Sequence, residues 1–228
     1  MLIITPAVLV DKLSDLEHFI DLYSHYFSRI DIDFMDGSVT SSVTVTLNEI
    51  LNIAANYISN ISFGFHLMTS NVELIEDFIL KLNLIFTKDS NIKIQNFMVY
   101  IHQEILTNNL NNNLLEFILN NLTKESRGVV VSVEQDILDL AFYNNFSEVQ
   151  IMTVQIGAQG GKFQEEALNK ITLLKDYNGV ISIDGGVNLE TAQIIKKYRI
   201  NRVSVGSYFQ RSTNLQHDLE ALDKILNT

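Results

Sequence analysis

Two aspartates stand on alternate positions of an apolar run, in the stretch IDIDFMDG at residues 30–37. Side chains alternate along a β-strand, so Asp31 and Asp33 face the same side. Two buried carboxylates repel each other and lose hydration unless a cation lies between them. The pair therefore indicates either a functional cation site or a salt bridge to a Lys or Arg across the fold, and the spacing alone leaves both open.

Two further residues of suitable chemistry end other apolar runs, His66 in FHLM and Asp184 in ISIDGG. A histidine at a strand end is more often a hydrogen-bonded core residue than a ligand, but two nearby acids favour ligation. An aspartate before two glycines is also a common turn former. Both residues are therefore candidates for acid–base or metal chemistry.

Glycines follow three of the later apolar runs. Gly157 and Gly160 lie in GAQGGK, Gly185 and Gly186 follow Asp184, and Gly206-Ser207 follows VSV. Backbone N–H groups at glycine-rich turns bind phosphate without any net positive charge. The clustering of these turns predicts a phosphate site.

Short β-branched runs alternate with segments of helical periodicity, and each run ends at a polar break. Eight alternations predict a parallel (β/α)8 TIM barrel, expected as a single domain over residues 1–228, with its chemistry at the C-terminal ends of the strands. The Asn-rich stretch at residues 107–121 has leucines at helical spacing and predicts a helix. The predicted strands are Leu2–Thr5, Arg29–Phe34, Ser62–Leu67, Phe97–His102, Val129–Val133, Glu148–Thr153, Val180–Asp184 and Arg202–Val205.

Composition excludes several classes of function. A net charge of −11 argues against nucleic acid as a partner, because phosphate backbones require clustered Lys and Arg. No apolar run reaches the roughly 18 residues that a membrane span needs. The absence of cysteine excludes disulfides and thiolate catalysis, and we expect a cytoplasmic protein.

Six short motifs, in order along the chain, resemble those of the ribulose-phosphate 3-epimerase family. They are DFMDG at residues 33–37, HLM at 66–68, IHQE at 101–104, MTV at 152–154, IDGGVN at 183–188 and VGS at 205–207. The resemblance implies that Asp33 and Asp184 are acid–base residues on opposite faces of a ketose phosphate. The expected substrate is ribulose 5-phosphate and xylulose 5-phosphate, or a hexulose 6-phosphate.

The resemblance also implies a divalent metal, Zn, Mn or Fe, held by Asp33, His66 and Asp184. Asp31 stands where relatives have a histidine ligand, so we expect it to be the fourth ligand. Met35, Met68 and Met152 match methionines that line the family's substrate site, and relatives form dimers or hexamers.

Several departures from the family concern the mouth of the barrel. Ala7 replaces a substrate-contacting serine, and Asp31 would add a third negative charge to the site. The loops after Gly37 and Val154 also differ from the family pattern. These changes leave open a weakly active or non-catalytic sugar-phosphate binder and, less directly, another phosphate-binding barrel lyase or isomerase.

Overall fold

A computed structural model describes residues 1–87, 97–108, 113–157 and 161–228, which contain a closed barrel of eight parallel strands. Each strand pairs with its sequence neighbours, and β8 pairs with β1. The predicted TIM barrel is thereby confirmed. The strands are β1 (Ile3–Val8), β2 (Arg29–Met35), β3 (Ser62–Met68), β4 (Phe97–His102), β5 (Arg127–Val131), β6 (Glu148–Met152), β7 (Val180–Asp184) and β8 (Arg202–Val205).

Helices follow the strands around the outside of the barrel. Those in the described residues are α1 (Leu13–Ser24), α2 (Leu47–Ala54), α3 (Val72–Thr87), α4 (Gln103–Thr107), α5 (Leu114–Asn121), α6 (Leu140–Tyr143), α7 (Asn169–Leu173), α8 (Leu189–Ile195), α9 (Ser207–Gln210) and α10 (Leu215–Leu226). Short 3-10 segments span Lys124–Ser126 and Glu165–Leu168. No helix in these residues is both long enough and apolar enough to cross a membrane.

The main hydrophobic core lies between the strands and the helices. Ile30, Ile32 and Phe34 alternate with the aspartates of β2 and join the same cluster as Leu16 and Ile20 of α1. The period of two in the strand and of three to four in the helix thus brings the apolar faces together. In the Asn-rich stretch, helix α5 agrees with the prediction, while residues 109–112, with Leu110, lie outside the described residues.

The barrel interior contains a buried charged layer instead of the usual branched apolar side chains. We name Arg29, Asp31, Glu148 and Arg202, together with Tyr100, the central ion cluster. Arg202 donates to Asp31, to Glu148 Oε1 from Nε at 2.8 Å, and to the Tyr100 hydroxyl at 2.7 Å. Its members come from β2, β4, β6 and β8, as expected for one layer of a TIM barrel.

Small residues on alternate strands make room for this layer. A Cβ added to Gly64 of β3 would lie 2.1 Å from Asp31 Oδ1, and one added to Gly128 of β5 would lie 2.2 Å from Tyr100 Cδ1. On β7 the position near Arg202 is Ser182, which is also buried. Large side chains on even strands therefore fit against small ones on odd strands.

We expect Arg202→Met to lower the free energy of unfolding by about 3–5 kcal/mol, because it leaves Asp31 and Glu148 buried without their main cation. Urea denaturation measures this change. The matched control is Lys81→Met, which removes an exposed i,i+4 partner of Asp77 at 2.7 Å and should change stability by less than about 1 kcal/mol. Equal effects of the two substitutions would contradict the assigned role of the cluster.

Candidate active site

The C-terminal ends of the strands bring the predicted acid, base and ligand residues together. Asp33 of β2 lies opposite His66 of β3 in the parallel register, and the last residue of β7, Asp184, lies opposite Met152 of β6. This is the end of a TIM barrel at which active sites are built. The alternation of β2 therefore presents Asp33 to the barrel interior one layer above Asp31.

Asp33, His66 and Asp184 form a compact trio. The Nδ1 atom of His66 lies 3.1 Å from Asp33 Oδ1 and 3.5 Å from Asp184 Oδ2. One donor atom from each residue lies within 4.8 Å of those of the other two. Among the residues that the structure describes, this is the group that could hold a metal ion.

The trio is electrostatically coupled. Burial raises the pKa of Asp33, the nearby Asp184 charge adds to this, and the bond with His66 opposes it, so that the pKa is about 6. Burial lowers the pKa of His66, but its bonds with Asp184 and Asp33 outweigh this and raise it to about 10. In the metal-free protein a proton on His66 therefore bridges the two carboxylates.

The donor set of the trio fits a divalent transition metal. Two carboxylate oxygens and one imidazole nitrogen suit Zn, Mn or Fe, and three protein ligands leave coordination positions open, as in catalytic sites. His66 directs Nδ1 toward both carboxylates, so the same atom that holds the bridging proton is the one available to a cation. Metal and proton would thus compete for this position.

Asp31 is not part of this group, and the expectation that it is a fourth ligand disagrees with the structure. Its Oδ1 accepts from Arg29 Nε at 3.1 Å, and its Oδ2 accepts from Arg202 and from Ser204 Oγ at 2.8 Å. Burial raises its pKa, but Arg202 and Arg29 outweigh this and lower it to about 2. The salt-bridge alternative therefore describes Asp31, and its negative charge is paired with Arg29 and Arg202.

The third carboxylate of the opening motif, Asp36, is structural. Its Oδ1 accepts from Ser38 N at 3.0 Å and its Oδ2 accepts from Thr69 Oγ1 at 2.6 Å. It thereby joins the turns that follow β2 and β3. The three acids of IDIDFMDG thus lie in three different environments.

Other residues around the trio were not identified from the sequence as members of the site. Gln150 donates to Asp184 Oδ2 at 2.8 Å and accepts from Arg202 at 3.1 Å, which connects the trio to the central ion cluster. Thr153 Oγ1 donates to the Gly185 carbonyl at 2.6 Å. His102 contacts His66 through Nε2 at 2.9 Å, and the IHQE motif was the one available signal for it.

A cavity at the barrel mouth opens above the trio. The predicted substrate-contacting residues Ala7, Met35, Met68 and Met152 line it. So do most of the predicted phosphate-binding residues, namely Gly157, Gly185, Gly186, Gly206 and Ser207. Gly160 lies outside the described residues.

The turn after β7 depends on glycine. Gly185 has φ +108° and Gly186 has φ +68°, in the region that other residues rarely adopt. A Cβ on Gly185 would also lie 2.4 Å from Val154 Cγ2. Both glycines are half-buried and line the cavity beside Asp184, where an anionic group could approach their backbone.

We expect Asp33→Asn to weaken Mn²⁺ binding by more than about 10-fold, since even outer-shell partners of metal ligands contribute that much. The matched variant Asp31→Asn should leave Mn²⁺ affinity near that of the parent while lowering the free energy of unfolding, because only the ion cluster is damaged. Isothermal titration calorimetry and urea denaturation separate the two effects. Loss of Mn²⁺ affinity in Asp31→Asn would restore this residue as a ligand.

The pKa of His66 predicts a pH dependence for the metal-free protein. A pKa raised in the folded state from 6.5 to about 10 adds stability that is fully present below pH 6.5 and is lost as pH rises through 10. Urea midpoints between these limits should therefore fall more steeply for the parent than for His66→Gln. Parallel pH profiles for the two proteins would show that His66 is not held as the cation.

Solved structures of other proteins share the fold of this barrel. The barrel is similar to 3-hexulose-6-phosphate synthase from Salmonella typhimurium (12% identity, 99% of each chain, TM-score 0.63). It is also similar to KGPDC from Streptococcus mutans (9% identity, 100% of this chain and 98% of that one, TM-score 0.61). A third similar structure is phosphoribosyl anthranilate isomerase from Thermus thermophilus (11% identity, 99% and 98%, TM-score 0.61). At these identities the likeness shows the fold alone.

Sequence comparison identifies the family more closely than the fold does. A search of the curated proteins finds no match. Residues 3–210, however, match the model of the ribulose-phosphate 3 epimerase family, which covers the barrel from β1 to α9. The chain belongs to the ribulose-phosphate 3-epimerase family.

Proposed function

We propose that the protein is a metal-dependent 3-epimerase of a ketose phosphate, acting on ribulose 5-phosphate and xylulose 5-phosphate or on a hexulose 6-phosphate. The observation that carries this proposal is the pair of carboxylates, Asp33 and Asp184, on either side of His66 at the floor of the cavity. Membership of the ribulose-phosphate 3-epimerase family supports the broader statement that the protein is an enzyme of sugar phosphates.

The chemistry of epimerisation requires two proton-transfer groups. The C3–H bond beside a ketone is weakly acidic, so one aspartate removes this proton and an enediolate forms. The other aspartate returns a proton from the opposite face, which inverts C3. In the metal-free protein, burial raises the pKa of Asp33 to about 6, which makes it a stronger base than an exposed aspartate.

Asp33, His66 and Asp184 are the residues that would hold the metal. A bound dication would polarise the substrate carbonyl and stabilise the negative charge that develops on it. Two carboxylates and a neutral imidazole balance the charge of a dication, and the charge of Asp31 is largely compensated by Arg202 and Arg29. The trio thus has the charge of an ordinary divalent-metal site, and an excess of acid does not weaken its attraction for an anionic substrate.

The walls of the cavity suit the other parts of a ketose phosphate. Met35, Met68 and Met152 offer apolar, polarisable surfaces that limit hydration of the reacting carbons. The backbone at Gly186 and Ser207 also lines the cavity and suits the phosphate. From there a groove continues past Lys162 and Arg211, whose positive charges share it with the carboxylates of Glu165, Glu190 and Asp218.

A second candidate function is a sugar-phosphate binder without turnover. It is favoured by Ala7, which lines the cavity without a hydroxyl group to contact the substrate. A binder would retain phosphate-dependent affinity in variants that lack both aspartates. A measured turnover that Asp33→Asn abolishes would exclude this function.

We expect the Mn²⁺-loaded protein in D₂O to incorporate solvent deuterium at C3 of a pentulose or hexulose phosphate. NMR measures the rate of this incorporation. Asp184→Asn should lower the rate by about 10²–10⁴-fold, because general acid–base groups contribute that much. The control Asp176→Asn changes an exposed aspartate before β7 and should retain the parental rate. Absence of exchange at C3 in every ketose phosphate tested, with metal bound, would contradict the epimerase.

A further inference from the structure

A chain of hydrogen-bonded side chains extends from His66 of β3 past the ends of the neighbouring strands β4 and β5 to Glu104. His66 directs Nδ1 to the two carboxylates, and its other nitrogen, Nε2, lies 2.9 Å from His102 Nε2. His102 Nδ1 lies 3.1 Å from Ser132 Oγ, which in turn donates to Glu104 Oε1 at 2.8 Å. The chain therefore ends at a carboxylate that is not part of the metal-ligand trio.

The carboxylate of Glu104, at the end of the chain, determines the direction of every hydrogen bond in it. An ionised Glu104 only accepts, so the single hydroxyl proton of Ser132 is directed to it. Ser132 Oγ can then only accept from His102, which requires the proton on His102 Nδ1. In a neutral His102 the lone pair therefore lies on Nε2, where it accepts from His66 Nε2–H.

This direction selects one tautomer of His66. With its proton on Nε2, neutral His66 has its lone pair on Nδ1, the atom that faces Asp33 and Asp184. The opposite tautomer would present an N–H group to a cation. Metal-ligating histidines generally donate their second ring N–H to a partner that fixes tautomer and orientation.

The surroundings hold this arrangement in place. His66 and His102 are each 1% exposed, with ring centroids 4.9 Å apart and planes at 24°, so bulk water does not replace either partner. Lys170 Nζ donates to the carbonyls of Ser132 and Val133 at 2.6 and 2.7 Å, which anchors the segment that carries the hydroxyl. The donor to Glu104 is therefore held in position at the end of β5.

We propose that His102, supported by Ser132 and Glu104, is a positioning residue that directs the lone pair of His66 Nδ1 toward the metal position. The proposal rests on the metal site of the proposed function, but it does not require epimerase turnover. His102 itself contacts neither the ion nor the substrate. Its effect is to make His66 a ready ligand without a change of tautomer.

The first test compares Mn²⁺ affinity by isothermal titration calorimetry for the parent, His102→Phe and His102→Gln. Phe removes the acceptor but retains a flat ring, and we expect binding about 10–100-fold weaker. Gln provides an amide oxygen near the position of Nε2 and should restore most of the affinity. Urea denaturation of the metal-free proteins controls for folding. Parental affinity in a folded His102→Phe, or an equal loss in both variants, would overturn the proposal.

The second test reads the tautomer directly. Long-range ¹H–¹⁵N NMR of the Zn²⁺-loaded parent should show His66 protonated at Nε2 and His102 protonated at Nδ1. A His66 protonated at Nδ1, or a parent that binds neither Zn²⁺ nor Mn²⁺, would overturn the proposal. Metal binding with the expected tautomers but without exchange at C3 would contradict the epimerase alone.

Discussion

The central ion cluster is the interaction on which the rest of the barrel depends. The single residue Arg202 contacts Asp31, Tyr100, Glu148 and Gln150. It thereby links β8 to β2, β4 and β6 across the interior. Charges in such a position lose their hydration, and only complete pairing and hydrogen bonding offset that loss. Two cations and two anions with a tyrosine hydroxyl between them meet this condition. The layer therefore fixes the relative heights of the strands that carry the site.

The cluster supports the active site from below. Asp33 stands two residues beyond Asp31 on β2, and Gln150 stands two residues beyond Glu148 on β6, so each projects into the next layer of the barrel. Gln150 forms one hydrogen bond with Arg202 and one with Asp184, so the position of Arg202 helps to fix that of Asp184. Asp184 is thus positioned in part by a residue that does not line the cavity, whereas the side-chain partner of Asp33, His66, does line it. Distances within the trio reflect packing at the barrel centre as much as local strand geometry.

Much of this arrangement could be predicted from the sequence because it depends on local periodicity. The β-branched runs located all eight strands, and strand ends located Asp33, His66 and Asp184. The role of Asp31 could not be read in the same way, since its partner Arg202 lies 171 residues away and only barrel closure brings β8 beside β1. A motif comparison treats Asp31 as a changed ligand, whereas the structure shows a residue with a different partner. His102 was missed because its role arises from a contact between β3 and β4.

The pairing of Asp31 with Arg202 also constrains which substitutions these two positions can accept. A single exchange of Asp31 leaves Arg202 only Glu148 as its anion, and a single exchange of Arg202 leaves Asp31 only Arg29 as its cation. Gly64 and Gly128 leave no room to add side chains beside the layer. The two positions are therefore epistatic. Changing the two positions one at a time therefore passes through a destabilised protein, whereas exchanging the whole layer together can keep its charges paired.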